Sequence, residues 1–260
     1  MNTCINMKRQ RSILREFKNP KKHVSEIVSL VTKEMKKYPT PSVTMVSWQK
    51  DPYKVLISCL LSLRTRDSTT IAASNRLFAV ADTPRKMLQL SLSEVEKLIF
   101  PVGFYRTKAG RIQEINKILI EKYKSKVPAT MGGLLELKGV GRKTAGITLV
   151  YGYGLRDVAI PADVHVHRTA NRIGFVRTKT PEATEQELMQ LVPKELWWEY
   201  NNTFVGFGQN VCKPVTPQCG KCWIAGYCRF FHKKVMPSLL KKEKNFEKKV
   251  WVLKEGIEQR

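Results

Sequence analysis

Acidic residues are scarce in this chain. Across 260 residues, 22 Asp and Glu stand against 46 Lys and Arg, a formal net charge of +24. A surface so short of negative charge favours a polyanionic partner, and nucleic acid leads that class. An acidic membrane surface would exploit the same charge. However, no apolar run is long enough to span a bilayer and there is no signal-peptide core, so the sequence predicts a soluble, intracellular protein without a membrane partner. The opening MNTCINMKRQRSILREFKN is basic enough to imitate a transit peptide but contains little serine. Alternating strand patterns are nearly absent, and no segment repeats at a fixed period, which points to an all-α protein. Cysteine is sparse as well. There are six, and a basic intracellular chain of this length needs no disulfide framework. Cys4 falls in the N-terminal tail, and Cys59 falls in an apolar helix where a buried thiol is ordinary.

What is present is helical periodicity. HVSEIVSLVTKEMKKY, PYKVLISCLLSLR, DSTTIAASNRLFAVA with Asp67 as N-cap, and SLSEVEKLIF follow one another. YRTKAGRIQEINKILIEKYK forms the longest helix, with Pro128 shortly beyond it. Further helices are predicted from about Arg142 to Tyr153, from Asp163 to Ile173, over PEATEQELMQLV and over ELWWEYNNTFVGFGQ. Trp197, Trp198, Phe204 and Phe207 lie at helical spacing in the last of these, which places them in a core rather than against nucleic-acid bases. Residues 1–21 and 232–260 are lysine-rich with few regularly spaced apolar residues, and they read as mobile basic tails that add affinity rather than fold.

Two local motifs carry chemistry. In VCKPVTPQCGKCWIAGYC, Cys212, Cys219, Cys222 and Cys228 are separated by prolines and glycines that prevent helix formation, so four thiolates can curl around one centre. Structural zinc and an iron–sulfur cluster both use four thiolates, and spacing alone leaves the two open. Either site would be closed, its work being to fix a loop that presents Lys213 and Lys221 to phosphate. In LKGVGRKTA, Gly139 and Gly141 form a tight turn between two helices. Glycine there permits positive φ and lets backbone N–H groups approach an anion, although the same pattern also suits a plain turn between packed helices. Arg142 and Lys143 follow at a helix N-terminus, where the macrodipole disfavours cations.

These segments also carry a resemblance. LKGVGRKTA resembles the LPGVGRKTA signature of the endonuclease III family of helix-hairpin-helix DNA glycosylases, IPADVHVHRTANR resembles its VDTHVHRxxNR, and the cysteine loop resembles its [4Fe-4S] spacing. The similarity extends from about Asp51 to Phe231 and includes DPYKVLISCLLS and PVGFYRTKA. It implies two helical domains with a cleft between them: a six-helix domain with the hairpin over residues 45–157, and an iron–sulfur domain over 22–44 and 158–231. It implies one [4Fe-4S] cluster and a double-stranded DNA partner carrying damaged bases or abasic sites. The chain would act as a monomer in the cytoplasm or nucleoid of a prokaryote, or in the nucleus or mitochondrion of a eukaryote.

The resemblance makes Lys143 the nucleophile and Asp163 its partner, in a glycosylase and AP lyase acting on oxidised pyrimidines such as thymine glycol. An amine attacks only after losing its proton, and the helix N-terminus, Arg142 and partial burial would each lower the lysine pKa. Without the flanking motifs Lys143 would read as a solvated charge, and Asp163 equally as an N-cap. His165 and His167 are two apart, a spacing that a helix splays rather than pairs for a metal.

The chain also departs from the family pattern. LLSLRT places Arg64 where the family has a glutamine wedge that fills the gap left by an extruded base. Phe104 matches an apolar wedge position, with core packing as its alternative. Lys138 replaces a proline. Two rival readings stand beside the enzyme: a mismatch or uracil glycosylase, and a non-catalytic DNA-binding module.

Overall fold

The computed structural model describes residues 17–39 and 50–241. Cys4, most of both basic tails and the boundary drawn at 44/45 lie outside these residues. Among the described residues the fold is all-helical, without strands.

Its helices are α1 (Val24–Met35), α2 (Pro52–Ser62), α3 (Asp67–Val80), α4 (Pro84–Gln89), α5 (Leu92–Ile99), α6 (Tyr105–Glu121), α7 (Met131–Leu135), α8 (Arg142–Ile147), α9 (Val164–Ile173), α10 (Pro181–Leu191) and α11 (Trp197–Asn210). Local chemistry sets their starts. Asp51 Oδ1 accepts the N–H groups of Tyr53 and Lys54 ahead of Pro52, whose fixed φ suits the first helical position. Ser91 and Glu94 close a reciprocal capping box on α5. Helix α3 differs from its sequence reading. Asp67 is its first helical residue and Arg66 occupies the cap position without a side-chain bond. The carboxylate still favours the positive end of the helix, and it accepts a 3.5 Å hydrogen bond from Gln209 Nε2. Helix α4, PRKMLQ, was not anticipated; six residues are too few to show a period, and Thr83 and Pro84 supply its start.

The helices enclose two main cores. The first gathers Leu56, Ile57, Leu61, Leu77, Ile112 and Leu137, with others from α2 through the segment after α8. Helix α2 is buried nearly all round because it forms the centre of this core. The second joins α1 to α9, α10 and α11. Trp197, Phe204 and Phe207 are buried there, and Tyr200 stacks on Phe204 at 4.2 Å. A smaller cluster of Val55, Cys59, Ile147, Val150, Tyr151 and Ala159 lies between them, with Trp198 packed against it. This seam is pinned by the Tyr151 hydroxyl, which donates to Asn201 Oδ1 at 3.2 Å.

Helix α8 does not continue regularly to Tyr153. It widens into a π-helical turn over Thr148–Gly152, a feature that recurs near functional sites. That turn brings Gly152 so close to α2 that a Cβ would stand 2.7 Å from Pro52 Cα. The inner ends of the regions read as basic arms are folded. Lys18 N donates to Gly226 O, the Phe17 ring meets His232 edge-on at 5.1 Å, and helical turns continue from Phe231 to residue 241. Aromatic contact supplies what their lysine-rich sequence conceals.

Candidate active site and cysteine pocket

Lys143 is the second residue of α8 and is half-buried. Its charge bears on two neighbours. Burial pushes the Cys59 thiol up to about 12 with Lys143 opposing. Burial also lowers the pKa of His165; Asp163 opposes that shift, and Arg168 and Lys143 reinforce it. Lys143, Asp163, His165 and, more weakly, Asp67 therefore share one electrostatic neighbourhood. Asp163 is the N-cap of α9, and its Oδ1 accepts the N–H groups of His165 at 2.8 Å and Val166 at 2.9 Å. Its second oxygen takes part in neither bond.

Arg142, directly before Lys143, is ion-paired. It makes a forked contact with Glu185, Nε to Oε2 at 3.1 Å and Nη2 to Oε1 at 3.3 Å. Glu185 is almost wholly buried on α10. The arginine charge is thus offset, and its field on the neighbouring lysine is reduced.

The two hairpin glycines are not equivalent. Gly139 has φ +88°, and a Cβ there would crowd the Arg111 side chain at 3.0 Å. Gly141 has extended backbone and open space around it, and it starts α8 without a side-chain cap. Val140 between them is buried in the first core and anchors the turn. Lys138 is exposed and pairs with Glu114 at 3.4 Å.

Arg64 and Phe104 meet at the surface. The guanidinium carbon lies 5.7 Å from the ring centroid, and Phe104 is 63% exposed, so core packing does not account for it. Both residues are left-handed, with φ of 52° and 58°, a conformation that costs a residue with a side chain about 1–2 kcal/mol.

His165 and His167 are engaged separately. His165 Nδ1 meets Arg168 Nη2 at 3.1 Å, and His167 Nδ1 meets Thr184 Oγ1 at 2.6 Å. Because an arginine can only donate, His165 Nδ1 is the acceptor and its remaining proton belongs on Nε2. Arg168 also donates to Gly208 O and Cys212 O. A Cβ at Gly208 would lie 2.9 Å from His165 Cβ, so glycine permits this close crossing of α9 and α11.

Cys212, Cys219, Cys222 and Cys228 line one pocket together with Ile173, Phe207 and other mainly apolar residues. Burial pushes the Cys228 thiol up to about 11 and raises Cys222 further. Thiolates become stable there only with a compensating cation. Arg172 fixes the loop by donating to Lys213 O and Pro214 O at 2.7 Å each, and it lies 3.6 Å from Cys212 Sγ. Lys213 is half-exposed and Lys221 exposed.

Residues 57–194 match the HhH-GPD superfamily of base excision DNA repair proteins. The endonuclease III of Thermotoga maritima is 45% identical over 186 residues, covering 72% of this chain and 86% of that protein. The chain belongs to the endonuclease III family. Two solved structures agree at the level of fold. A non-covalent endonuclease III–DNA complex is 32% identical with a TM-score of 0.75, and a trapped covalent endonuclease III–DNA intermediate is 31% identical with a TM-score of 0.73. Each comparison covers 83% of this chain and 98% of its counterpart. As a member of the endonuclease III family, the chain is a DNA glycosylase and AP lyase.

The sequence motifs had singled out Lys143, Asp163, the hairpin and the four cysteines. Asp67, Lys108, Arg168 and Glu185 were not singled out. Most of their partners lie far away in sequence; Asp67 left a local signal as a carboxylate at a helix start, and Arg168 as part of IPADVHVHRTANR, three residues from His165.

Proposed function

We propose that Lys143 is the nucleophile and Asp163 its acid–base partner in removing oxidised pyrimidines from duplex DNA. The observation that carries this reading is that Lys143 and Asp163 both bear electrostatically on His165, while Asp163 caps its helix through Oδ1. Neutral Lys143 Nζ attacks C1′ of an extruded nucleotide, the C1′–N bond breaks, and the base leaves with the bonding electrons and takes a proton from water. The amine proton passes to Asp163, whose carboxylate first stabilises positive charge on the sugar. Asp163 then returns that proton to O4′ as the C1′–O4′ bond breaks, leaving a Schiff base between Nζ and C1′. Loss of a proton from C2′ then expels the 3′ phosphate, so one site performs both reactions. The trapped covalent endonuclease III–DNA intermediate of a relative supports a covalent step. Gly139, Gly141 and the start of α8 hold a backbone phosphate, with Lys213 and Lys221 contributing along the duplex, and the enzyme acts as a single chain.

The test is borohydride trapping on abasic duplex DNA. Wild type should form a covalent adduct, Lys143→Ala none, and Asp163→Asn about 10²-fold less in rate. An undiminished adduct with Lys143→Ala would remove the assignment. Duplexes carrying thymine glycol, uracil or a T·G mismatch define the lesion, with thymine glycol expected to be preferred.

The cysteine pocket suits one [4Fe-4S] cluster better than zinc. The four cysteines line one mainly apolar pocket, and their spacing resembles the cluster loop of the family, whereas zinc ribbons usually carry two C-x2-C knuckles and this loop has one. When bound, the cluster would cross-link the loop; Arg172 and Arg168 hold the loop's backbone to α9. Purified protein should contain about four iron and four sulfide per chain. A zinc-loaded, iron-free protein would exclude the cluster.

A further inference from the structure

Lys108 is the only buried lysine or arginine among the described residues, at 9% exposure. It belongs to neither the nucleophile's neighbourhood nor the cysteine pocket, and no carboxylate pairs with it among those residues. Its Nζ instead donates to Leu61 O at 2.8 Å, Leu63 O at 2.6 Å and Thr65 Oγ1 at 3.1 Å. The two carbonyls lie at the C-terminal end of α2, where the helix dipole favours a cation. All three ammonium hydrogens are thereby used.

These acceptors belong to the loop that carries Arg64. The same Thr65 oxygen accepts the N–H of Gly103 at 3.2 Å, which joins that loop to the one ending at Phe104. The junction is close: a Cβ on Gly103 would stand 2.6 Å from Arg64 O. Directly above it are the two exposed residues with positive φ, Arg64 and Phe104, cation against ring. A buried charge at the base of two strained loop tips is costly unless the shape of those tips matters.

We propose that Lys108 is a positioning residue that holds the Arg64–Phe104 pair in the shape that opens duplex DNA, acting on nucleotide extrusion rather than on bond breaking. The proposal rests on the reading of this chain as an enzyme that works on an extruded nucleotide. Thr65 relays the constraint, and Gly103 permits the contact. A lysine that merely filled the core would affect every substrate equally. Lys108 should matter only where the base must be pushed from a stack.

The test uses the full chain with Lys108→Met, which keeps the length and removes the donors, and Thr65→Val, which removes the relaying hydroxyl at little cost in shape. Extrusion is read by fluorescence of 2-aminopurine placed opposite thymine glycol, and chemistry by borohydride trapping on single-stranded abasic DNA, which has no stack to open. Lys108→Met should lose about tenfold or more in duplex rate and in the fluorescence rise, while single-strand trapping stays within about twofold. Thr65→Val should shift the same ratio by a smaller factor. Equal losses on both substrates, or an unchanged ratio in the two variants, would overturn the proposal. If Lys108→Met fails to fold, the Thr65→Val ratio alone decides. Fluorescence repeated in the Lys143→Ala background measures extrusion without chemistry, so a failure of the nucleophile assignment and a failure of this inference remain separate results.

Discussion

Two lysines in this molecule show how one residue type serves opposite ends at the scale of a side chain. Lys143 is the proposed nucleophile, a role that calls for a free amine, whereas Lys108 holds its three oxygens as an ammonium. Burial lowers the Lys108 pKa to about 8, against about 10.4 in an unfolded chain. Between these values the unfolded state binds more protons, so stability attributable to this residue rises with pH across that window. Its unfavourable contribution is full below about 8 and gone above about 10.4. Denaturation of wild type and Lys108→Met at pH 7.5, 9 and 10 should therefore show wild type gaining on the variant as pH rises. A constant difference would mean that the buried amine keeps an ordinary pKa. Lys143 was legible in the sequence because LKGVGRKTA resembles the family signature; the conflict with the helix dipole alone would leave it a solvated charge. Lys108 was not, because its helix neighbours give no hint that it points at oxygens 43 to 47 positions away.

Within the hairpin, the sequence shows two glycines and the structure gives them different reasons. Gly139 needs its positive φ, and any side chain there also meets Arg111. Gly139→Ala should cost about 1 kcal/mol or more in stability, read as a lower denaturation midpoint, and should weaken DNA binding as the turn distorts. Gly141 adopts a backbone that other residues accept, in open space. Gly141→Ala should cost less than about 1 kcal/mol, yet it should still reduce affinity for DNA, because a methyl group would stand where a phosphate approaches the uncapped N–H groups. Equal stability losses in the two variants would contradict this distinction. Helix existence was readable throughout α1, α2, α5, α6 and α9 from apolar spacing and caps. The exceptions have local causes: α4 is shorter than a readable period, and the end of α8 relaxes into a π turn that depends on its contact with Pro52.

Over the whole molecule, the arrangement of two cores about a seam decides which charges are available to DNA. The net charge of +24 was informative about partner class and uninformative about individual residues, because pairing is a tertiary property. Arg142 illustrates this. Its position beside Lys143 and the hairpin suggests a phosphate contact, but it bridges α8 of the first core to α10 of the second through Glu185. The two partners are unequally placed, with side-chain exposures of 35% for Arg142 and 2% for Glu185. Removing the arginine leaves a carboxylate with no access to water, which costs about 3–5 kcal/mol for a buried pair broken from one side. Glu185→Gln keeps an acceptor and leaves an arginine that water can reach, so its cost should be nearer 1–3 kcal/mol. Urea denaturation should therefore rank Arg142→Ala below Glu185→Gln, with a reduced midpoint and an unchanged slope in each. Arg142→Ala should also leave the salt dependence of DNA binding nearly unaltered, since a phosphate contact would have contributed about one unit of slope. The reverse ranking, combined with a shallower salt dependence, would return Arg142 to the DNA interface and leave the seam to apolar packing and the Tyr151–Asn201 bond.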